Sequence, residues 1–252
     1  MYLREVHAEK DITVLRQLIR DFPLGILTTA FPSTVGPFIQ ASHIPFLLDV
    51  EDETSPTELG KLRGHLARAN PQSKALVEAC KEKEASGASP SNVLTDEVLV
   101  LFNSPAQHYV TPKFYTETKP ATGKVVPTWN YAAVQVYGKI RVYYDPASTE
   151  TSDFLSCQVS NLSEYAESNI MGYTSPWKVT DSPGRYIELL KKAIIGIEID
   201  IERLEGKFKM SQEMGAGDKK GVIDGFRNLG TETAGIVAKA VEERAGLDMK
   251  PE

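Results

Sequence analysis

Apolar and polar residues alternate along much of the chain with a period of two, the pattern of β-strands that bury one face. The alternation is longest at 131–145. Short links between consecutive strands favour antiparallel pairing, and so a barrel or sandwich rather than a doubly wound parallel sheet. The predicted strands are 24–31, 36–50, 60–69, 98–104, 106–112, 131–145 and 195–211.

Helical spacing of apolar residues appears at the margins of this strand pattern. Asn70 and Pro71 together predict a helix start, with asparagine as the N-cap and proline at the first helical position. The Ser/Gly/Ala-rich segment that follows this helix, 85–97, is predicted to be a mobile loop. The other predicted helices are 13–23, 151–168, 184–194 and one or two within 218–246. The helices are therefore peripheral to a mainly β fold.

The sequence predicts structural roles for two glycine positions. Gly206 is expected to bend the strand at 195–211. The glycine-rich stretch 215–221 has the wrong spacing for a dinucleotide-binding loop and lies in no βαβ unit, which favours a flexible turn.

Composition restricts the class of protein further. The 252 residues are 41% hydrophobic and 25% charged, as in soluble globular proteins. The net charge is −6 and no basic run occurs, so nucleic acid is disfavoured as a direct partner. We expect one domain over 1–230, with helical insertions, and a helical extension over 231–252.

Cysteine usage and the N-terminal sequence predict a cytoplasmic protein. Cys80 and Cys157 lie far apart, which favours two free thiols over a disulfide scaffold or a zinc site. The charged N-terminus has no apolar signal core, and no run of about eighteen apolar residues predicts a membrane span. The four histidines are not spaced as a helical metal pair, so no metal site is expected.

The stretch "GHLARANP" (64–71) places His65, Arg68 and Asn70 where a strand gives way to a helix. Unpaired N–H groups and the positive dipole end of a helix, beside a guanidinium and an imidazole, suit a phosphate group. The alternative is equally compatible with the spacing: Arg68 is a surface residue and Asn70 only a cap.

Two later stretches also carry candidate ligand-binding groups. Trp129 can stack on a flat ring and Asn130 can read its polar edge, although a core tryptophan is the commoner role. Lys207, Lys209 and Ser211 alternate on one face of a strand. That face is either solvated or directed at an anionic ligand.

Eight collinear segments resemble one family, the PaiB-type FMN-binding negative transcriptional regulators, over about residues 1–230. They are "FPLGILTT", "SHIPFLLD", "GHLARANPQ", "VLVLF", "GKVVPTWNYAAVQVYG", "SPWKVTDSP", "IIGIEIDIERLEGKFKMSQ" and "DKKGVIDG". The resemblance implies an antiparallel split β-barrel related to the pyridoxamine phosphate oxidases and flavin reductases. It also implies a homodimer with FMN between the subunits.

The same resemblance implies a set of cofactor-binding residues. One group would hold the flavin phosphate, with His43 on the neighbouring strand. A second would face the isoalloxazine ring, and a third, from this subunit or its partner, would complete the pocket. The residues at the phosphate would be His43, His65, Arg68 and Asn70. Those at the ring would be Trp129 and Asn130, and those that complete the pocket would be Lys207, Lys209, Ser211 and Gln212.

The chain departs from the family pattern at three places. Residues 81–96 look like an insertion, and "TPKFYTETK" (111–119) replaces the usual "SPSWY". Glu213 stands where the family has asparagine, and its carboxylate would repel a phosphate if it pointed into the pocket.

Three functional hypotheses follow. The first is a flavin-dependent oxidoreductase, with a small-molecule substrate near Tyr109, Phe114 and Tyr115 and no identified catalytic acid or base. The second is a regulator that acts through DNA or a partner. The third is a heme-binding or heme-degrading barrel with His43, His65 or His108 as ligand, or a barrel repurposed for another small molecule.

Overall fold

The computed structural model describes residues 1–246 of the chain, which form two compact units. The terminal unit comprises Met1–Leu18, Asn103–Gln135 and the residues from Glu205 onward. The barrel unit comprises Ile19–Phe102 and Val136–Leu204. Each unit is described by itself below.

Residues 1–246 contain nine strands and seven α-helices, besides short 3-10 and π-helical turns. The strands are β1 (Ala8–Glu9), β2 (Leu24–Ala30), β3 (Ile39–Pro45), β4 (Leu47–Asp49), β5 (Lys61–Ala67), β6 (Val93–Asn103), β7 (His108–Val110), β8 (Thr128–Tyr143) and β9 (Ile194–Lys209). The helices are α1 (Ile12–Asp21), α2 (Pro71–Ala85), α3 (Thr118–Thr122), α4 (Thr149–Tyr165), α5 (Gly184–Lys191), α6 (Ala216–Asn228) and α7 (Glu232–Ala245).

The barrel unit is built on an antiparallel sheet in the order β3-β2-β6-β8-β9-β5-β4. The pairs β2–β3, β2–β6, β4–β5 and β5–β9 are all antiparallel. Alternating apolar positions place Leu62, Val100, Ile197 and Ile199 in the core with no exposed surface. The mainly β antiparallel fold with peripheral helices, predicted from the sequence, is confirmed.

Strands β3 and β5, near opposite ends of the sheet order, meet through side chains rather than through a ladder. A Cβ added to Gly64 on β5 would lie 3.1 Å from Ile44 Cγ2 on β3. The sheet therefore curls back on itself within this unit and leaves an open seam, as a split barrel does. Gln72 of α2 holds this helix to the paired strands β2 and β3, because its buried Nε2 donates to the carbonyls of Leu27 and Gln40, at 3.2 Å each.

In the terminal unit, two short strands extend the ends of the long ones. β1 pairs with β9 at Ala8 and Lys207, and β7 pairs with β8 at Tyr109 and Trp129, both antiparallel. Helices α6 and α7 pack together through buried apolar residues, among them Phe226. The domain boundary predicted at 230 stays a prediction, and residues 247–252 of the predicted extension lie outside the described residues.

Two local expectations were wrong. Strand β6 begins at Val93, inside the segment predicted as a loop, because Leu94 and Val98 are buried and continue its alternation. The segment 215–221 is the start of α6 rather than a flexible turn. The bend expected at Gly206 stays a prediction; a Cβ there would overlap Leu15 Cδ2, so glycine permits the close approach of α1.

No helix within residues 1–246 combines the length and the apolar character that a bilayer crossing requires. Both cysteines are free thiols, as predicted. Burial raises the pKa of the Cys80 thiol to about 11, so this thiol stays protonated at neutral pH.

Candidate functional site

Arg68, the residue after the end of β5, is held by three main-chain carbonyls of the barrel unit. Its Nε donates to Lys192 O at 3.2 Å, and its Nη2 donates to Tyr144 O at 2.8 Å and to Ile194 O at 3.2 Å. A guanidinium carries five N–H donors, and these contacts use three of them. The plane of the group is therefore fixed by the protein.

The remaining nitrogen of Arg68, Nη1, has no hydrogen-bond partner anywhere in residues 1–246, and the side chain forms no ion pair there. Two N–H groups and a full positive charge are thus left in a fixed orientation. The two-nitrogen fork of the guanidinium is used by the carbonyls, and Nη1 alone can donate to a carboxylate or phosphate oxygen.

Helix α2 begins three residues after Arg68, at Pro71, as the sequence predicts. Asn70 is its N-cap: Oδ1 accepts from Gln72 N at 2.9 Å, and Nδ2 donates to Ser42 Oγ at 3.0 Å. Pro71 occupies the first helical position. The predicted capping role of Asn70 is confirmed, and its amide is engaged on both sides.

A cavity of about 340 Å³ lies beside Arg68 and along the first turns of α2. Lys74 and Lys81 line it, seven residues apart and hence on one helix face, and form no ion pair among the described residues. Ser73 also lines it; its hydroxyl is fully buried and has no hydrogen-bond partner. Glu78 is occupied, since it accepts from Ser33 Oγ at 2.6 Å.

Ser73, Lys74 and Lys81 are not among the site residues predicted from the sequence. The signal was available, because Asn70 and Pro71 fix the helix start, and the start fixes which lysines share a face. The buried, unpartnered hydroxyl of Ser73 could be known only from the structure.

The two histidines of the barrel unit differ in environment. His43 on β3 is exposed. His65 on β5 is half-buried, its buried Nδ1 has no partner, and burial lowers its pKa because the charged imidazolium is poorly solvated there.

The lowered pKa of His65 predicts a pH-dependent loss of stability. The unfolded chain binds a proton at its usual pKa of about 6.5, whereas the folded chain resists it. The free energy of unfolding should therefore fall as pH drops below about 6.5, and His65→Gln should flatten that slope. Urea unfolding at several pH values between about 7 and 5 measures how the free energy of unfolding depends on pH. His43→Gln is the exposed control, and equal slopes in His65→Gln and the parent would refute the assignment.

In the terminal unit, Asn130 and Ser211 bind each other rather than solvent. Asn130 is fully buried and its Nδ2 donates to Ser211 Oγ at 3.1 Å. Ser211 has a φ of 61°, a strained conformation for a residue other than glycine. The amide of Asn130 thus stabilises the turn after β9, in which Gln212 Oε1 also accepts from Met210 N at 2.6 Å.

Trp129, Lys207 and Lys209 remain closer to solvent in that unit. Trp129 is 50% exposed and meets Tyr109 edge to face at 6.3 Å. Lys209 Nζ donates to Trp129 O at 3.1 Å, and burial lowers its pKa. Lys207 Nζ donates to Tyr2 O at 3.1 Å.

Glu213, the residue whose charge is unfavourable for a phosphate, has its own partner. His7, which is 2% exposed, lies with Nε2 3.0 Å from Glu213 Oε2. Burial by itself would raise the pKa of Glu213, but the hydrogen bond with His7, a backbone hydrogen bond and the charge of Lys209 together outweigh burial, so the pKa is lowered. The carboxylate is therefore directed at a protein group.

The aromatic residues of "TPKFYTETK" pack against the terminal unit. Phe114 meets Phe226 of α6 edge to face at 5.3 Å, and Tyr115 is 3% exposed. Of the three aromatic residues predicted to face a substrate, Tyr109 alone has substantial exposure, 44%.

Four predicted site residues, His43, His65, Arg68 and Asn70, thus belong to the barrel unit. The other six, Trp129, Asn130, Lys207, Lys209, Ser211 and Gln212, belong to the terminal unit. No group of three or more His, Cys, Asp or Glu side chains in the described part of the chain is placed to hold a metal ion.

Comparison with known proteins finds a family match over most of the chain. Residues 1–203 match the family described as "Putative FMN-binding domain". An uncharacterized protein of Emericella nidulans, AN0679, is 62% identical over 252 residues, which cover 99% of this chain and 100% of that protein.

More distant similarities extend to bacteria. Protease synthase and sporulation protein PAI 2 of Bacillus subtilis is 26% identical over 204 residues, covering 81% of this chain and 80% of the relative. The solved structure of conserved hypothetical protein Rv2991 from Mycobacterium tuberculosis has a TM-score of 0.46 and 11% identity, covering 85% of this chain and 94% of that one.

Proposed function

Because this chain belongs to the family of FMN-binding domains, which its residues 1–203 match, we propose that it binds FMN and holds the phosphate end at Arg68. The observation that carries the placement is the pair of free Nη1 N–H groups on a guanidinium fixed by three carbonyls. A group oriented before binding loses little side-chain entropy when it binds, so its contacts contribute fully to affinity.

The cavity beside Arg68 supports this placement on charge. A phosphate monoester carries roughly two negative charges at neutral pH. Arg68, Lys74 and Lys81 supply three positive charges, against two carboxylates, those of Glu78 and Glu82. Hydrogen bonds hold Glu78 to the neighbouring Ser33 and Thr34, which turns it toward protein donors.

Ser73 gives an independent fit to a phosphate. A buried hydroxyl without a partner is costly, and the cost is removed when a ligand oxygen accepts its proton. Ser73 also lies in the first turn of α2, where the helix dipole favours an anion, although the Gln72 N–H is bound by Asn70 and Pro71 has no N–H.

The activity we propose is oxidation or reduction of a small molecule. FMN, when bound, supplies the hydride or electron transfer, and the protein contributes binding, orientation and electrostatics. The contact of Trp129 and Asn130 with the flavin ring stays a prediction. No residue of the chain is proposed as a catalytic acid or base.

A homodimer remains part of the proposal. Strand β3 ends the sheet order of the barrel unit, and Phe38 and Ile39 at its start are 57% and 64% exposed. An exposed apolar edge strand favours association with another chain. Direct DNA binding is not proposed, because the net charge is −6 and the chain has no basic run.

Reconstitution with FMN tests the function class. The purified protein is mixed with excess FMN and separated by gel filtration with light-scattering detection. We expect flavin absorbance to travel with the protein at one FMN per chain, in a particle of twice the 27.8 kDa chain mass. Protein that elutes free of flavin would contradict the proposal, and a Soret band in the protein as purified would favour heme instead.

A further inference from the structure

A second cavity in the barrel unit shares no residue with the one beside Arg68. Its volume is about 440 Å³, within the range of small-molecule sites. Ile19, Phe46 and Leu47 give it an apolar floor, and the end of α4 gives it a polar wall. None of the expected flavin contacts falls here.

The polar wall follows from helical spacing. Asn161, Glu164 and Tyr165 are related by three and four residues, so they lie on one face of the last turn of α4. Asn169 follows in a single π-helical turn, Ala166–Ile170. Such turns occur often at functional sites, because they redirect side chains within a helix.

One of the carboxylates that line the cavity has no cationic partner within residues 1–246. Arg63 binds Asp49, with Nη2 to Oδ1 at 2.8 Å, and Arg20 binds Glu53, with Nη2 to Oε1 at 2.6 Å. Glu164 forms no ion pair within residues 1–246. The lining therefore carries one net negative charge.

Other groups of the wall also favour a positive ligand. The Tyr165 hydroxyl donates its proton to Arg20 O at 2.6 Å, so what it offers a ligand is an acceptor. The amide oxygens of Asn161 and Asn169 can accept as well.

We propose that this cavity binds a small organic cation: a primary ammonium group on a short apolar body. The ammonium group pairs with Glu164 and donates to neighbouring oxygens at the end of α4. The apolar body lies on Ile19, Phe46 and Leu47. The site accounts for a polar wall of acceptors facing an apolar floor, which the flavin site does not explain.

Calorimetric titration with two probes tests the proposal. One is phenethylammonium, and the other is 2-phenylethanol, which has the same apolar body without the charge. The unmodified protein should bind the ammonium compound at least about tenfold more tightly, because a charge-assisted hydrogen bond contributes that much. Glu164→Gln should remove the preference. Glu150→Gln, which removes the same charge at the other end of α4, should retain it.

Two controls separate this site from folding and from the flavin. Urea unfolding of Glu164→Gln should match that of the parent, so that any lost preference reflects the site. Saturation with FMN should leave ammonium binding unchanged. Equal binding of the two probes, an unchanged preference in Glu164→Gln, or competition by FMN would overturn the proposal.

Discussion

Replacement of Arg68 by alanine is expected to weaken FMN binding about 100-fold. The guanidinium offers two N–H groups and an unpaired positive charge to the phosphate. Hydrogen bonds between charged groups contribute about 1.5–3 kcal/mol each, and a loss near 2.7 kcal/mol corresponds to a factor of 100. Quenching of flavin fluorescence during titration measures the dissociation constant.

Arg68 also holds three carbonyls, so its replacement affects the barrel as well as the ligand. A second variant, Lys74→Ala, avoids that complication, because Lys74 is exposed and forms no hydrogen bond through its side chain within the described residues. We expect it to weaken FMN binding by about tenfold, as the loss of one charge-assisted contact should.

Arg185→Ala is the matched control for these variants. Arg185 is an exposed arginine in the first turn of α5, it lies in the same unit, and it does not line the cavity beside Arg68. Its replacement should leave FMN affinity unchanged. If Arg68→Ala and Lys74→Ala both bind FMN as the parent does, the phosphate lies elsewhere.

The fold was predictable where the signal is local. The alternation at 131–145 and the Asn70-Pro71 pair specify a strand and a helix start through backbone geometry alone, and both are observed. The start of β6 at Val93 was missed because Ser, Gly and Ala directly before it indicate a loop. Burial of Leu94, which tertiary packing decides, extends the strand instead.

The site was predictable only in part, because its decisive contacts are long-range. The carbonyls that fix Arg68 lie 76 to 126 residues further along the chain, and His7 lies 206 residues from Glu213. No spacing rule connects such positions. Residue type identified Arg68 as a phosphate candidate, but its free Nη1 and the hydrogen bond between Glu213 and His7 depend on the folded chain.

The start of α6 shows the same limit in a glycine-rich segment. Asp218 is 1% exposed and accepts from Glu117 N at 2.9 Å and Thr118 N at 3.1 Å. These bonds fix "GAGDKKG" as the first turns of a helix. The glycines of this segment favour a turn, whereas the backbone donors that stabilise the helix lie far away in the sequence and leave no local signal.

Parallel titration of the unmodified protein with FMN and with riboflavin tests the phosphate site most directly. The two ligands carry the same ring and differ in the phosphate group. If Arg68, Ser73 and the α2 lysines bind that group, FMN should bind at least about 100-fold more tightly than riboflavin, and Lys74→Ala should lower FMN affinity while leaving riboflavin affinity unchanged. Equal affinities for FMN and riboflavin would contradict the account.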